Sequence, residues 1–193
     1  MKTLIIPVIL CLVSILPVHA DDNPLASAKK GDWAKYLITT EVEGNRFLSS
    51  RDVPRWWAVD SSNADGRVVV RNFMFIQGKR VSAGGSVFRT NGSFEPIAFS
   101  KNARVEIVFR GTESVMALGR SVECIKVVRK VDSPCSPGCP GWVGTSTLWL
   151  SDSVPIGLAR MENEYDFQIA PSGKPSHNHE IWTLAEAGAD WKE

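Results

Sequence analysis

Arg104-Val-Glu-Ile-Val-Phe-Arg-Gly-Thr-Glu-Ser-Val-Met-Ala-Leu-Gly-Arg-Ser-Val-Glu-Cys-Ile-Lys-Val-Val-Arg-Lys-Val131 is the stretch whose reading decides the fold. It is rich in Val, it is broken by glycine, and it keeps no helical period for 12 residues, which is the pattern of extended chain. Gly111-Thr112 reads as a turn between strands over Arg104 to Phe109 and Ser114 to Leu118. Gly119-Arg120 then opens Ser121 to Val131. In that last run Val122, Cys124 and Val128 point one way while Ile125 and Val127 point the other. Apolar residues on both faces predict either a sheet covered on both sides or a bulge that switches register.

The same punctuation recurs outward. Glu43-Gly44-Asn45 closes a strand from Trp33 to Val42, Asp65-Gly66 precedes Val68 to Ile76, and Gln77-Gly78 leads into Lys79 to Val81. Asn91-Gly92 between Phe88 and Phe94 is a hairpin signal, because both residues tolerate positive φ. Further strands fit Trp142 to Leu150, Ile156 to Phe167 and Glu180 to Ala185. About ten strands at this spacing predict a mainly β domain, a single curved antiparallel sheet forming a half-barrel or open barrel over residues 33–187. Before it, Asn23 can cap a helix, Pro24 suits its first position and Gly31 can end it, so residues 21–32 predict a short N-terminal helix and lead-in. Residues 188–193 are left as a C-terminal tail.

The first 20 residues read as a signal peptide, with basic Lys2, an apolar run from Leu4 to Leu16, Pro17 and the small-residue site Val18-His19-Ala20. The 13 residues of that run span only about 20 Å as helix, short of the roughly 30 Å hydrocarbon core. Cys11 lies inside that run behind Leu10, unlike a lipidation site. The expectation is an exported chain, periplasmic or extracellular, with no transmembrane anchor after cleavage. The 193 residues carry 22 Lys+Arg and 21 Asp+Glu, a formal charge of +1. Cleavage after Ala20 leaves 173 residues with no net charge. That balance argues against nucleic acid as a partner and, with 44% hydrophobic residues, against disorder.

Export permits a disulfide. If Ser121 to Val131 pairs with Trp142 to Leu150, Cys135 and Cys139 sit together in the connecting loop. Cys124 lies seven residues back from Val131, on the order of 23 Å at about 3.3 Å per residue. The favoured pair is therefore Cys135 with Cys139, leaving Cys124 a buried thiol. Soft thiolates at Cys135 and Cys139 with the alternating His177 and His179 form an alternative metal site for zinc or copper. An exposed loop staple explains the cysteines without it. Glu162, Glu164 and Asp166 share a strand face that could hold calcium, though a solvated face accounts for them. No G-x-S-x-G elbow occurs, and only two histidines follow Ala20. No catalytic constellation and no cofactor are read. Asn91-Gly92-Ser93 also matches a glycosylation acceptor.

Seven tryptophans are many for this length. Trp56 and Trp57 are adjacent, so on a strand they face opposite ways and one would line a concave side. They are the candidate ligand-binding residues, set against plain core packing.

Trp149-Leu-Ser-Asp-Ser-Val-Pro-Ile-Gly-Leu-Ala-Arg-Met-Glu162 resembles the signature W-x-S-[DE]-x-V-P-x-G-[LV]-[VA]-[KR]-x-E of a family of uncharacterised secreted bacterial proteins. Gly31-Asp-Trp-Ala-Lys-Tyr36 and Gly119-Arg-Ser-Val-Glu-Cys124 are similar to the same family's strand entries. The resemblance implies the lipoprotein-carrier architecture (LolA/LolB-like), a curved antiparallel half-barrel. Physically, Trp149, Ser151, Asp152, Pro155 and Gly157 read as a structural corner: a strand end, a side chain bonded back to the turn, a fixed φ and a bulge. Three functions follow as expectations. The first is a non-catalytic exported protein holding an apolar or lipid-like ligand on a concave sheet. The second is a structural or protein-interaction domain of a cell-envelope assembly, and the third an enzyme.

Overall fold

The computed structural model describes residues 23–42, 45–47, 54–90, 94, 103–134, 141–168 and 174–191. The signal segment, Asn91-Gly92-Ser93, and Cys135 and Cys139 lie outside the described residues. Ten strands form one open antiparallel sheet: β1 Trp33–Val42, β2 Asn45–Phe47, β3 Arg55–Ser62, β4 Arg67–Ile76, β5 Lys79–Arg89, β6 Arg104–Ala117, β7 Arg120–Ser133, β8 Gly141–Leu150, β9 Leu158–Gln168 and β10 Ser176–Gly188. The path runs β5-β4-β3-β1-β10-β9-β8-β7-β6, with short β2 pairing off it against β1. No helix among the described residues is long and apolar enough to cross a membrane.

Two expectations are corrected. Residues 24–30 form a turn and not a helix: Ala26 N donates to Asn23 O at 3.0 Å, and Ala28 N to Leu25 O at 3.2 Å. Asn23 does cap it, its Oδ1 accepting from Leu25 N at 3.0 Å. Seven residues give too few hydrogen bonds to offset helix nucleation, and the segment is instead held by Leu25, which is wholly buried in the core. Gly111-Thr112 makes no turn either, since β6 runs through it from Arg104 to Ala117. The Phe109 ring lies where a Cβ on Gly111 would be, 2.9 Å away. That glycine gives space to an aromatic side chain and does not end the strand. Among the turns that do reverse the chain, Gln77-Gly78 and Leu118-Gly119 have both residues at positive φ, the backbone of a two-residue type I′ hairpin.

The two-faced patterning of β7 resolves without a bulge in its ladder to β8, which is unbroken from Ile125↔Leu150 to Ser133↔Trp142. Buried positions are Val122 and Cys124 before that ladder starts, then Val127, Arg129, Val131 and Ser133 within it. The switch falls where β8 ends, and the projecting β6–β7 hairpin turns its other face to the core. Its tip reaches β10, Leu118 N donating to Leu184 O at 3.2 Å. Cys124 is buried among these residues, and no disulfide occurs among the described cysteines. Burial, with Glu113 and Glu123 nearby, pushes its thiol up to about 11, so it is inert at neutral pH.

Directly opposed residues of an antiparallel ladder share a face. One row of the core face is Val127, Leu148, Met161, Trp182 and Ile38. The next row is polar: Arg129, Ser146, Asn163, Glu180 and Thr40. Arg129, Ser146 and Asn163 are buried. Arg129 donates to Phe94 O at 2.6 Å and to Ser146 Oγ at 3.0 Å. Glu180 Oε1 accepts from Trp182 Nε1 at 2.6 Å and from Asn163 Nδ2 at 3.4 Å. Burial raises the Glu180 carboxyl above its ordinary range, outweighing those two donors and the nearby Arg55 charge.

The loop between β8 and β9 locks this core to the N-terminal turn. Ser151 N donates to Gly157 O at 2.8 Å, and Val154 and Ile156 are buried. Ile156 takes φ +64° and Gly157 φ +71°, the first of these unfavourable for a β-branched residue. A Cβ on Gly157 would lie 2.4 Å from Pro24 O.

Gly157→Ala should therefore cost about 3 kcal/mol or more, combining left-handed strain with a backbone clash. Gly78→Ala should cost only about 1 kcal/mol, from strain alone: its φ is +75° and nothing lies within 4 Å of a Cβ there. Urea denaturation of the two variants checks the difference. Glu180→Gln keeps an acceptor oxygen but removes a charge that folding holds out of water. Because the folded pKa is raised, stability falls as pH climbs from the unfolded value of about 4.3 through the folded one. Glu180→Gln should thus be more stable than the parent at pH 7 and lose that advantage below about pH 4, as read from melting curves across pH.

Candidate functional site

β3 is paired so that Ala34 opposes Trp57 and Lys35 opposes Trp56, which sends the two candidate tryptophans to opposite faces. Trp57 is 3% exposed. Its ring meets Tyr36 at 5.4 Å, Trp182 at 5.7 Å, Phe94 at 6.2 Å and Phe88 at 6.4 Å. Trp57 is thus a core residue whose ring faces are taken up by side chains, and the expected ligand wall is not found at this residue.

Trp56 lies on the other face and gathers rings from across the sheet. Trp33 stacks on it at 5.3 Å, Trp191 tilts against it at 5.6 Å and Phe75 meets it edge-on at 5.7 Å. Trp191 also stacks nearly parallel on Phe73, at 5.8 Å and 13°. Each of the three tryptophans is half-buried. Lys35 lies 5.1 Å from the Trp56 ring and Arg80 5.1 Å from Phe73, while Lys35 also pairs with Glu186 at 2.6 Å. Trp191 is delivered by the chain's return past β10, where its N–H donates to Gly31 O at 2.8 Å. Gly31, at φ +92°, has Asp190 N 3.4 Å from where a Cβ would stand.

Beside these rings is an open cavity of about 240 Å³ whose lining includes Phe73, Trp191, Lys30, Asp60 and Arg71. Arg71 Nη2 pairs with Asp60 Oδ2 at 3.0 Å. The indole nitrogens of Trp56 and Trp191 are buried without a hydrogen-bond partner. Flat apolar faces next to charged hydrogen-bonding groups are what a small-molecule site requires.

The remaining candidates lie elsewhere on the outer face. Trp149 is flanked by Arg160 at 5.0 Å and Lys126 at 5.2 Å. Arg160 continues to Glu162 at 2.9 Å, and Glu162 to His179 at 2.9 Å. Burial works to raise the Glu162 carboxyl, but the His179 hydrogen bond and Arg160 outweigh it and hold the group below its usual range. His177 sits 3.0 Å from Asp166 and 3.7 Å from Glu164. The two histidines therefore interleave with the three carboxylates, and no metal-holding cluster occurs among the described residues. Ser151 Oγ lies 2.9 Å from Ser153 Oγ and accepts from Ser153 N. Asp152 borders a separate cavity of about 180 Å³ beside Cys124 and Gly157. Trp33, Phe73 and Trp191 were not singled out by sequence reasoning. Alternation places Trp33 and Lys35 on one side of β1, which was a usable signal, but nothing in a six-residue tail marks Trp191.

No protein-family model matches the chain, and no curated protein matches it. Among solved structures, it is similar to a protein from Bacteroides fragilis NCTC 9343, provisionally described as exported and of YmcC-like fold, at 13% identity and a TM-score of 0.46, covering 83% of this chain and 97% of that one. It is also similar to a protein from Parabacteroides distasonis ATCC 8503, provisionally described as a lipoprotein, at 15% identity and a TM-score of 0.40, covering 83% and 96%. At these scores neither likeness is evidence of a shared function.

Proposed function

We propose that this chain is an exported, non-catalytic binding protein that takes a ligand with a flat apolar surface at the outer-face aromatic cluster, and not inside the sheet. Export rests on the basic, apolar and small-residue pattern of residues 1–20. The observation that carries the binding site is the division of the aromatic residues. Trp57 is closed over by its neighbours, whereas Trp33, Trp56 and Trp191 on the outer face are each only partly buried, and Trp191 lines a cavity with a charged rim. Tryptophan left partly in contact with water is costly apolar surface, and such surface concentrates at recognition sites.

The protein-interaction reading has one observation in its favour. The edge strand β6 exposes Val105, Ile107, Val108 and Phe109, the last to 52%. The β6–β7 register shift between Ile107 and Phe109 counters it, because a bulge twists an edge away from strand addition. Crosslinking of cell envelopes that captures one partner through β6 would favour this second reading.

For the binding reading, the mature chain is titrated with the apolar dye bis-ANS. Saturable binding is expected, weakened about tenfold or more by Trp191→Ala, with the sheet retained as read from circular dichroism. Dye binding that is unchanged in Trp191→Ala would sink the proposal.

A further inference from the structure

We infer that the occupant of the aromatic cleft is a sugar ring of a glycan chain; this rests on the reading that the cleft is the binding site. Size is the first argument. At about 240 Å³ the cavity is smaller than the roughly 300 Å³ at which pockets for drug-sized ligands begin. It fits one ring, with the remainder of the ligand outside, and it is not the long apolar trench that an acyl chain requires.

The second argument is the chemistry of the lining. Trp191, partly buried and backed by Phe73 within 13° of parallel, offers aromatic surface to the C–H face of a pyranose. Asp60 and Arg71 line the same cavity, joined at 3.0 Å, and offer a carboxylate acceptor and guanidinium donors to hydroxyl groups on the ring edge. A hydrocarbon in this space would strip water from that pair and return no hydrogen bonds, which is unfavourable. A sugar is apolar on its faces and polar at its edges, which matches both kinds of lining group.

The third argument is the buried indole N–H of Trp191, a residue that lines the cavity, which finds no acceptor. A buried donor left unpaired is unfavourable, and a hydroxyl or ring oxygen of a glycan would supply the acceptor. A quaternary ammonium ligand, the other usual guest of tryptophan clusters, is disfavoured because Lys35 and Arg80 already stand against the Trp56 and Phe73 rings.

The test titrates the mature chain with cellohexaose, chitohexaose and an alginate hexamer, reading tryptophan fluorescence and heat, with competition against bis-ANS. The expected result is saturable binding of at least one hexamer that displaces the dye. Trp191→Ala and the rim variant Asp60→Ala should each weaken it about tenfold or more. The alginate arm separates an acidic from a neutral sugar. If dye binding depends on Trp191 but no hexamer competes, the cleft stands as the site and the glycan inference falls. If dye binding does not depend on Trp191, the site itself is wrong and both readings fall. A hexamer that binds equally well to Trp191→Ala and Asp60→Ala also overturns the inference.

Discussion

The pairing of Ala34 with Trp57 and of Lys35 with Trp56 registers β3 against β1, and most of what is distinctive in this molecule depends on it. A strand alternates its side chains, so this register commits one indole to the interior and its neighbour to the outside. A slip of one residue would exchange them. It would bring Trp56 into the core and strip Tyr36 of its edge-on contact with Trp57. The Tyr36 hydroxyl, which donates to Leu158 O at 3.1 Å, ties that interior cluster to β9 on the far side of β10. Burial without a nearby charge raises the Tyr36 phenol strongly, so the group acts as a fixed neutral strut.

Around that register the sheet is closed from two directions by backbone contacts. The β6–β7 hairpin outlasts β8 and touches β10 at Leu184, while the β8–β9 corner drives Val154 and Ile156 inward and sets Gly157 against Pro24. Both contacts bring apolar surface over rows that the open sheet could not cover alone. The polar row from Arg129 to Glu180 is tolerated because its members pair off, Arg129 with Ser146 and Phe94 O, and Glu180 with Asn163 and Trp182. A charge buried beside such partners costs far less than one left alone. The outer aromatic cluster is assembled by the same economy of position: β1, β3 and β4 each contribute rings, and the returning tail adds Trp191.

Strand content was legible because glycine, asparagine and aspartate punctuate runs of β-branched residues, and Gln77-Gly78 and Gly119 mark real reversals. Gly111 was misread because a glycine that makes room for Phe109 looks, in sequence, like a glycine that turns the chain. The N-terminal helix was misread because a cap and a proline start a helix, but only length and packing sustain one. Arg129 beside Lys130 resembles a solvated pair, and only the cross-strand register reveals that Arg129 faces Ser146 indoors while Lys130 stays in water. The opposition of Trp56 and Trp57 followed from alternation; which of them would be free did not, since that depends on long-range pairing. The two histidines of the metal alternative are each engaged by carboxylates, and its cysteines, Cys135 and Cys139, lie outside the described residues.

The central claim is that Trp57 is closed inside the sheet while Trp33, Trp56 and Trp191 of the outer cluster are accessible. It can be tested most directly by ¹⁹F NMR of the mature chain with all seven tryptophans replaced by 5-fluorotryptophan, assigned by single substitutions. A soluble nitroxide such as TEMPOL is then added. The account predicts strong broadening of the Trp33, Trp56 and Trp191 resonances and almost none at Trp57. Broadening of Trp57 comparable to that of Trp56 would mean an open interior and would contradict it.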